Sequence, residues 1–436
     1  MPAPDRADPR ALLEELYAIA VAAAAPGPAL ARALKDLVPL GPVRVFALGK
    51  ASLPMADTAV GVLAALGREP AGGVIVPPAD APAPHSALHV VPGDHPEPGP
   101  RSRAAADALA RAAADTHPGD EAWVLLSGGA TSLLGAPVDG VNPADLTALY
   151  SLLLGSGLDI SAMNRIRKRF SRWGGGRLAA ALTARRVRVF VVSDVIGDDL
   201  QSIGSGPCVP DPSRAAEVRS ALDAAGLTPR VPPALLALLS AVEAGDAPET
   251  PKPDQPAFAN VETTLIVSNR LALEAAAARA ADHGCAPEIV AEPLAGEAAL
   301  AGRKIAATLL SYAGRSARQQ QQCVIWGGET TVTLGAEPGL GGRSQELALA
   351  AAGELALARD ERVALLAAGT DGRDGPTDAA GAVVDARTWD TIRRAGRDPA
   401  RDLAAHDAFR SLDAAGALLR PGLTGTNVMD LVIGLC

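Results

Sequence analysis

Short runs rich in valine, isoleucine and leucine alternate with alanine-rich segments along most of the chain. The runs at 43–48, 73–76, 89–91, 123–126 and 187–192 are largely apolar rather than alternating. Strands of that kind are covered on both faces, which predicts a parallel sheet between layers of helices. The segments 51–66, 103–114 and 143–155 supply the helices. At 243–260 the pattern stops in a stretch rich in proline and charge, EAGDAPETPKPDQPAFAN, which has no periodicity. Strand signals resume at 263–267, 287–290, 324–326, 331–334 and 363–368, with helices at 270–283, 297–313 and 345–357. The expected fold class is therefore α/β with two domains, 1–245 and 261–436, joined by a linker at 246–260. Each domain is expected to hold a largely parallel sheet flanked by helices, with an interdomain cleft.

Composition narrows this. A chain of 436 residues is too long for one ordinary core. Aromatic residues make up only 3%, so aliphatic side chains and alanine must build the interior. The formal net charge is −9, whereas a non-specific nucleic-acid binder needs a cationic face. Only Arg165–Arg172 is densely basic, and on a helix those residues spread over several faces. A solvated face or an anion site is expected there. Four cysteines lie far apart without metal or disulfide spacing, which fits a reducing compartment. Glu14 and Glu15 interrupt the first apolar stretch, which predicts a helix and not a signal peptide. No window is long and apolar enough to span a bilayer. A cytoplasmic protein without nucleic-acid or membrane partners is the expectation.

The chemistry is expected where strands end in loops, because ligands of open α/β sheets bind at the carboxyl ends. The first strand runs into Gly49-Lys50-Ala51-Ser52. Lysine is scarce here, five against a large excess of arginine, and a cation at a helix start opposes the helix dipole. Lys50 is thus a candidate for holding a phosphate or carboxylate. The loop is neither a Walker A sequence nor a dinucleotide fingerprint. A second loop, Ser127-Gly128-Gly129-Ala130-Thr131-Ser132, lets backbone N–H groups approach an oxyanion, although a tight structural turn explains it equally well. In Ser193-Asp194-Val195-Ile196-Gly197-Asp198-Asp199, Asp194 leaves its strand first and is the candidate metal ligand or general base. Asp198 and Asp199 also read as loop or capping residues.

In the second half, Gly327-Gly328-Glu329-Thr330-Thr331 is followed by Gly341-Gly342-Arg343-Ser344 at a helix start. Arg343 can brace a carboxylate or phosphate with two parallel hydrogen bonds. Gly369-Thr370-Asp371-Gly372 leads into a loop that also carries Asp374 and Asp378, suited to a cation, to a ribose or to Asx turns. Thr424-Gly425-Thr426-Asn427 precedes a final apolar run. Of six histidines only His95 lies in a distinctive loop, and no serine–histidine–acid triad can be assembled.

Taken together and in this order, the loops resemble the glycerate 2-kinase family with its MOFRL-type C-terminal domain, some members of which carry the older label hydroxypyruvate reductase. The matching stretches are ALGKAS, GDHPEP, LSGGATSLL, NRIRKRFS, SDVIGDD with IGSGP, GGETTV, GGRSQELALA, AGTDGRDGPTDAAGAVVD and TGTNVMDL. The resemblance implies a Rossmann-like first domain, an interdomain active site, ATP with Mg²⁺, and conversion of D-glycerate to 2-phosphoglycerate. Lys50, Asp194 and Arg343 are the expected catalytic residues, with Asp194 on the metal. Ser127, Gly128, Gly129, Arg167, Glu329, Thr330, Gly342, Asp371, Asp378 and Asn427 are the expected binding residues. The expected partners are a small hydroxy-acid and ATP, and a homodimer is the expected assembly.

The family usually places a lysine where this chain has Gly174, which leaves Arg177, Arg172 or Arg167 to replace it. Arg169, Gly204, Cys208 and Ser344 are smaller departures. The rival readings are an NAD(P)-dependent hydroxypyruvate reductase, which lacks its glycine fingerprint here, and a metabolite-binding protein without catalysis.

Overall fold

The computed structural model describes residues 8–158, 160–315, 320–335 and 337–436. They form two compact units, one of Pro26–Ile266 and one of Met1–Ala25 with Val267–Cys436.

In the unit of Pro26–Ile266, six strands form one sheet: β1 (Val43–Leu48), β2 (Pro70–Val76), β3 (Leu88–Val90), β4 (Glu121–Leu126), β5 (Arg186–Val192) and β6 (Val261–Val267). Their order is β3-β2-β1-β4-β5-β6. The β1–β2, β1–β4, β2–β3 and β4–β5 pairs are parallel. This is the strand order of doubly wound nucleotide folds, and the order reverses between β1 and β4. Every residue of β4 is buried, as expected for a central strand covered on both sides. Phe46, Leu48, Val124, Leu126, Val189 and Val191 share one face with Leu109 of the helix Pro100–Ala114. The helices Pro143–Leu154, Ile160–Phe170, Ala215–Ala224 and Pro233–Ala244 close a second, separate core around Leu149, Phe170, Val218 and Leu239.

The other unit holds β7 (Ala286–Ile289), β8 (Gln322–Gly328), β9 (Ala364–Gly369), β10 (Gly381–Asp385), β11 (Leu418–Leu419) and β12 (Asp430–Leu435). Their order is β11-β10-β9-β12-β8-β7. The α/β class with two helix-flanked sheets holds, but this second sheet is not largely parallel. Only β7–β8 is parallel, and β8–β12, β9–β12, β9–β10 and β10–β11 are antiparallel. The cause is β12, which inserts between β8 and β9 and runs against both. Its six residues are all buried, and a short run that is apolar after its first residue carries no record of direction.

Two boundaries also differ from the sequence reading. The helix Pro9–Ala23 buries Leu12, Leu13, Leu16, Tyr17 and Ala20 within the second unit, not the first. The stretch 246–260 is not a free linker. Thr250 is fully buried and its hydroxyl donates to Asp211 at 2.9 Å, while Glu249 pairs with Arg169. The predicted strand at 263–267 lies within β6 and joins the first sheet. The stretch 331–334 forms no strand, only an isolated bridge from Thr331 to Glu297. Among the described residues no single helix is long and apolar enough to cross a membrane.

Candidate active site

In the first unit the chemistry gathers at the switch point of the sheet. Leu48 and Leu126 are register partners at the carboxyl ends of β1 and β4, so the loops that follow them start side by side. Lys50 N–H donates to Gly128 O at 2.9 Å, and Ser127 Oγ accepts from Ala51 N–H at 3.0 Å. The Ser127 hydroxyl is buried and stitches the two loops together, so it holds their shape rather than facing a ligand. A methyl group on Gly128 would overlap the Asp194 carboxylate, which approaches from the end of β5. Gly129 has φ +83°, and a Cβ there would lie 3.2 Å from Lys50 Cγ and 3.3 Å from His95 Cδ2. Three side chains, Lys50, Asp194 and His95, thus crowd the bare Gly128–Gly129 backbone. Lys50 is exposed and Asp194 half-buried, as a cation and a carboxylate that meet a polar ligand must be.

The loop that presents His95 is built by its neighbour. Asp94 accepts from Arg101 N–H at 2.8 Å and Ser102 N–H at 3.3 Å, capping the helix Pro100–Ala114. His95 keeps some surface, yet removal from water first, and the Lys50 ammonium second, lower its pKa. Asp199 accepts from Gln201 N–H and the Ser202 hydroxyl in a local turn.

The basic helix Ile160–Phe170 is mainly structural. Arg167 lies 5.1 Å over the Tyr150 ring, and burial lowers its pKa. Arg172 pairs with Asp107 at 2.6 Å. Arg177 donates to the carbonyls of Lys168, Arg169, Ser171 and Gly174, and burial pushes its pKa down to about 10. Of the three arginines that the sequence offered in place of a lysine at 174, Arg172 and Arg177 thus have other partners, whereas Arg167 Nε is buried with no hydrogen-bond partner among the described residues. A Cβ at Gly174 would lie 3.1 Å from Lys168 Cβ and 3.2 Å from Ser205 O, so the position is also crowded.

In the second unit a separate cluster forms at the head of the helix Arg343–Ala358. Asp374 accepts from Ser344 N–H at 3.2 Å and Gln345 N–H at 2.8 Å, capping the helix across a gap that only a glycine at 342 leaves open. Arg343 donates Nε–H and Nη2–H to Asp430, and Nη1–H to Glu329. Burial works against the Arg343 charge, but Asp430 and Glu329 outweigh it and raise its pKa. Burial pushes Asp374 up to about 7 and Asp430 up to about 6, the latter against the pull of Arg343. Asp371, Arg373, Asp374, Arg343, Glu346 and His406 line a hollow of about 350 Å³ here.

The remaining expected residues divide. Asp371 lies on the hollow, and Glu329 braces Arg343. Thr330 is buried, and its hydroxyl has no partner among the described residues. Asp378 instead pairs with Arg420 at 3.2 Å on the surface, and Asn427 Oδ1 accepts from Met429 N–H at 3.1 Å in a local turn. Sequence reasoning missed Asp430, Glu346, His406 and Tyr17. The Tyr17 hydroxyl donates to Gly369 O at 2.8 Å, and burial, then the Asp371 and Asp430 charges, raise its pKa. A signal for Asp430 did exist, since it is the single charge at the head of an otherwise apolar run. Among the described residues no group of three or more His, Cys, Asp or Glu side chains is arranged to hold a metal.

A doubly wound sheet with a lysine at its switch point, and a second unit carrying a braced arginine, define the class of a two-unit α/β kinase. Residues 12–240 match the domain of unknown function DUF4147, and residues 322–430 match the MOFRL family. The chain is 37% identical over 410 residues to the D-glycerate 2-kinase of Thermotoga maritima, covering 93% of this chain and 94% of that one. It is 36% identical over 424 residues to an Agrobacterium vitis protein with the provisional name hydroxypyruvate reductase, covering 97% and 93%. A crystal structure of glycerate kinase from Thermotoga maritima superposes with a TM-score of 0.85 at 35% identity, covering 98% of this chain and 99% of that one. The chain belongs to the glycerate 2-kinase family.

Proposed function

We propose that this chain transfers the γ-phosphoryl group of ATP to the C2 hydroxyl of D-glycerate, giving 2-phosphoglycerate and ADP. The observation that carries the reading is the convergence of Lys50 and Asp194 on the Gly128–Gly129 backbone, at the switch point where doubly wound sheets bind ligands. Phosphoryl transfer asks a protein chiefly for positioning and charge neutralisation. The Lys50 ammonium offsets charge on the phosphoryl group, and the Gly128 and Gly129 amides, which carry no side chains of their own, approach its oxygens. Asp194 orients the acceptor hydroxyl and takes its proton.

Mg²⁺ with nucleotide needs only one or two protein carboxylates, because phosphate oxygens and water complete its shell. Asp194, half-buried against a glycine pair, fits that mode and would hold the ion, which supplies further neutralisation of the phosphates. Arg343 would bind a substrate carboxylate or phosphate. Three of its N–H groups are engaged by Asp430 and Glu329, and two of the five remain. The four free cysteines fit a reducing compartment such as the cytoplasm.

The strand order also suits a nicotinamide-dependent reductase, but the first turn lacks the glycine fingerprint, and the Ser127 hydroxyl caps the Ala51 amide within it. A coupled assay for ADP with ATP, Mg²⁺ and D-glycerate tests the proposal. ADP release that depends on D-glycerate supports it. Oxidation of reduced nicotinamide with hydroxypyruvate, or nucleotide binding without turnover on any hydroxy-acid, sinks it.

A further inference from the structure

We propose that His406 is a substrate-contacting residue of the hollow beside Arg343, and that Glu346 is the positioning residue that holds it there. The inference rests on the kinase reading only for the identity of the ligand.

His406 adopts φ +54°, a left-handed conformation that residues other than glycine enter at a cost, smaller for asparagine, aspartate and histidine than for the rest. Such a cost persists where the surrounding structure imposes it, and it marks positions kept for their side chain. The turn itself asks only for a residue that ends the helix Pro399–Ala404, and glycine would do that without strain. What glycine could not supply is the imidazole. His406 Nδ1 lies 2.8 Å from Glu346 Oε2, and Glu346 is almost wholly buried. An ionised carboxylate only accepts, so Nδ1 carries the proton of that bond and Nε2 is the ring nitrogen left for a ligand. Holding one imidazole nitrogen with a carboxylate fixes both the ring's orientation and its tautomer.

The company of the imidazole gives the ligand's chemistry. Glu346 stands three residues after Arg343 in the first turns of one helix, so both side chains rise from the same face. Arg343, Arg373 and His406 line one hollow, and the Arg373 guanidinium has no ion-pair partner among the described residues. Of the carboxylates there, Glu346 is committed to His406, Asp374 is committed to the helix amides, and Asp371 accepts from Arg373 N–H in its own turn. The hollow therefore takes an anionic oxygen group, either a nucleotide phosphate or the carboxylate of the hydroxy-acid. In the scheme proposed above, His406 adds no chemical step. It holds that group beside Arg343.

The direct test is made on the unaltered protein. His406 is assigned by comparing ¹⁵N spectra of histidine-labelled wild type and His406→Gly, and Nε2 is followed during titration with ADP and, separately, with D-glycerate. A saturable shift with either ligand supports the proposal, and the responding ligand identifies the source of the anion. No shift with either one overturns it. Kinetics give an independent readout. His406→Gly should raise KM for the responding substrate about ten-fold and leave the other KM within two-fold, a split that a loss of packing would not produce. Unchanged KM values in a folded variant would overturn the proposal while leaving the kinase reading intact. Absence of glycerate-dependent ADP release in the parent would remove the kinase reading and leave the titration as the test of the site.

Discussion

Asp430 receives two parallel hydrogen bonds from Arg343, Nε–H at 2.7 Å and Nη2–H at 3.0 Å, with the carboxylate buried and the guanidinium about one-third exposed. This geometry fixes the plane of the guanidinium before any substrate arrives. Asp430→Asn should therefore lower kcat/KM ten-fold or more. It should also cost about 1–3 kcal/mol of stability, since Arg343 loses one of its two charged partners. Steady-state kinetics and urea unfolding measure the two effects. Wild-type kinetics in this variant would show that Arg343 needs no brace.

Lys50→Met keeps the length of the side chain and removes its charge. If the ammonium neutralises the transferred group, kcat should fall at least a hundred-fold, or about 3 kcal/mol of barrier. Fold and melting temperature should be preserved, because Lys50 is exposed. A fall in affinity with kcat unchanged would assign Lys50 to uniform binding instead.

Two glycines make a matched pair of tests. Gly128→Ala puts a methyl group where the Asp194 carboxylate lies, and should reduce kcat at least ten-fold through displacement of Asp194. Gly61 lies inside the helix Ser52–Ala65, and a methyl group added there would meet nothing within 4 Å. Gly61→Ala should leave activity unchanged and stabilise the protein by about 0.5–1 kcal/mol. Thermal melts and the ADP assay on both variants decide the point.

A half-buried carboxylate, Glu249, and a buried one, Asp374, give opposite pH dependences. Burial opposes the Glu249 charge, but Arg169, the Ala215 N–H and Lys252 outweigh it and lower its pKa to about 2. Its contribution to stability is present above its unfolded value of 4.5 and is lost as pH falls toward 2. Asp374 is raised from 3.8 to about 7, so its contribution is fully present below about 4 and is lost as pH rises through 7. Urea midpoints across pH should therefore show Glu249→Gln flattening the acid limb and Asp374→Asn flattening the decline between pH 4 and 7. An Asp374→Asn curve parallel to wild type over that range would contradict the assignment.

Candidate residues at the boundaries of elements were legible in the sequence. Lys50, Asp194 and Arg343 each stand at the end of a strand or the start of a helix, where a short window identifies both the element and the exposed position. Residues brought in by pairing across the chain left little trace. Asp430 reaches Arg343 only because β12 inserts between β8 and β9, and Tyr17 meets Gly369 across 352 positions of sequence. Ser127 shows the opposite failure. Its loop reads as an anion cradle, yet its hydroxyl closes a turn against Ala51. The parallel first sheet was legible from its uninterrupted apolar runs, and the mixed second sheet was not, because burial on both faces produces the same runs in either direction.

The helix Pro9–Ala23 belongs with strands that follow the whole of Pro26–Ile266 in the chain. During synthesis it leaves the ribosome long before any of those strands exist, carrying an apolar face with nothing to cover it. The unit of Pro26–Ile266 can fold while the other waits, and the second sheet cannot be completed until Asp430–Leu435, one of its central strands, has emerged. The helix thus appears well before the strands that cover it, and the Arg343 cluster assembles only after Asp430 has emerged.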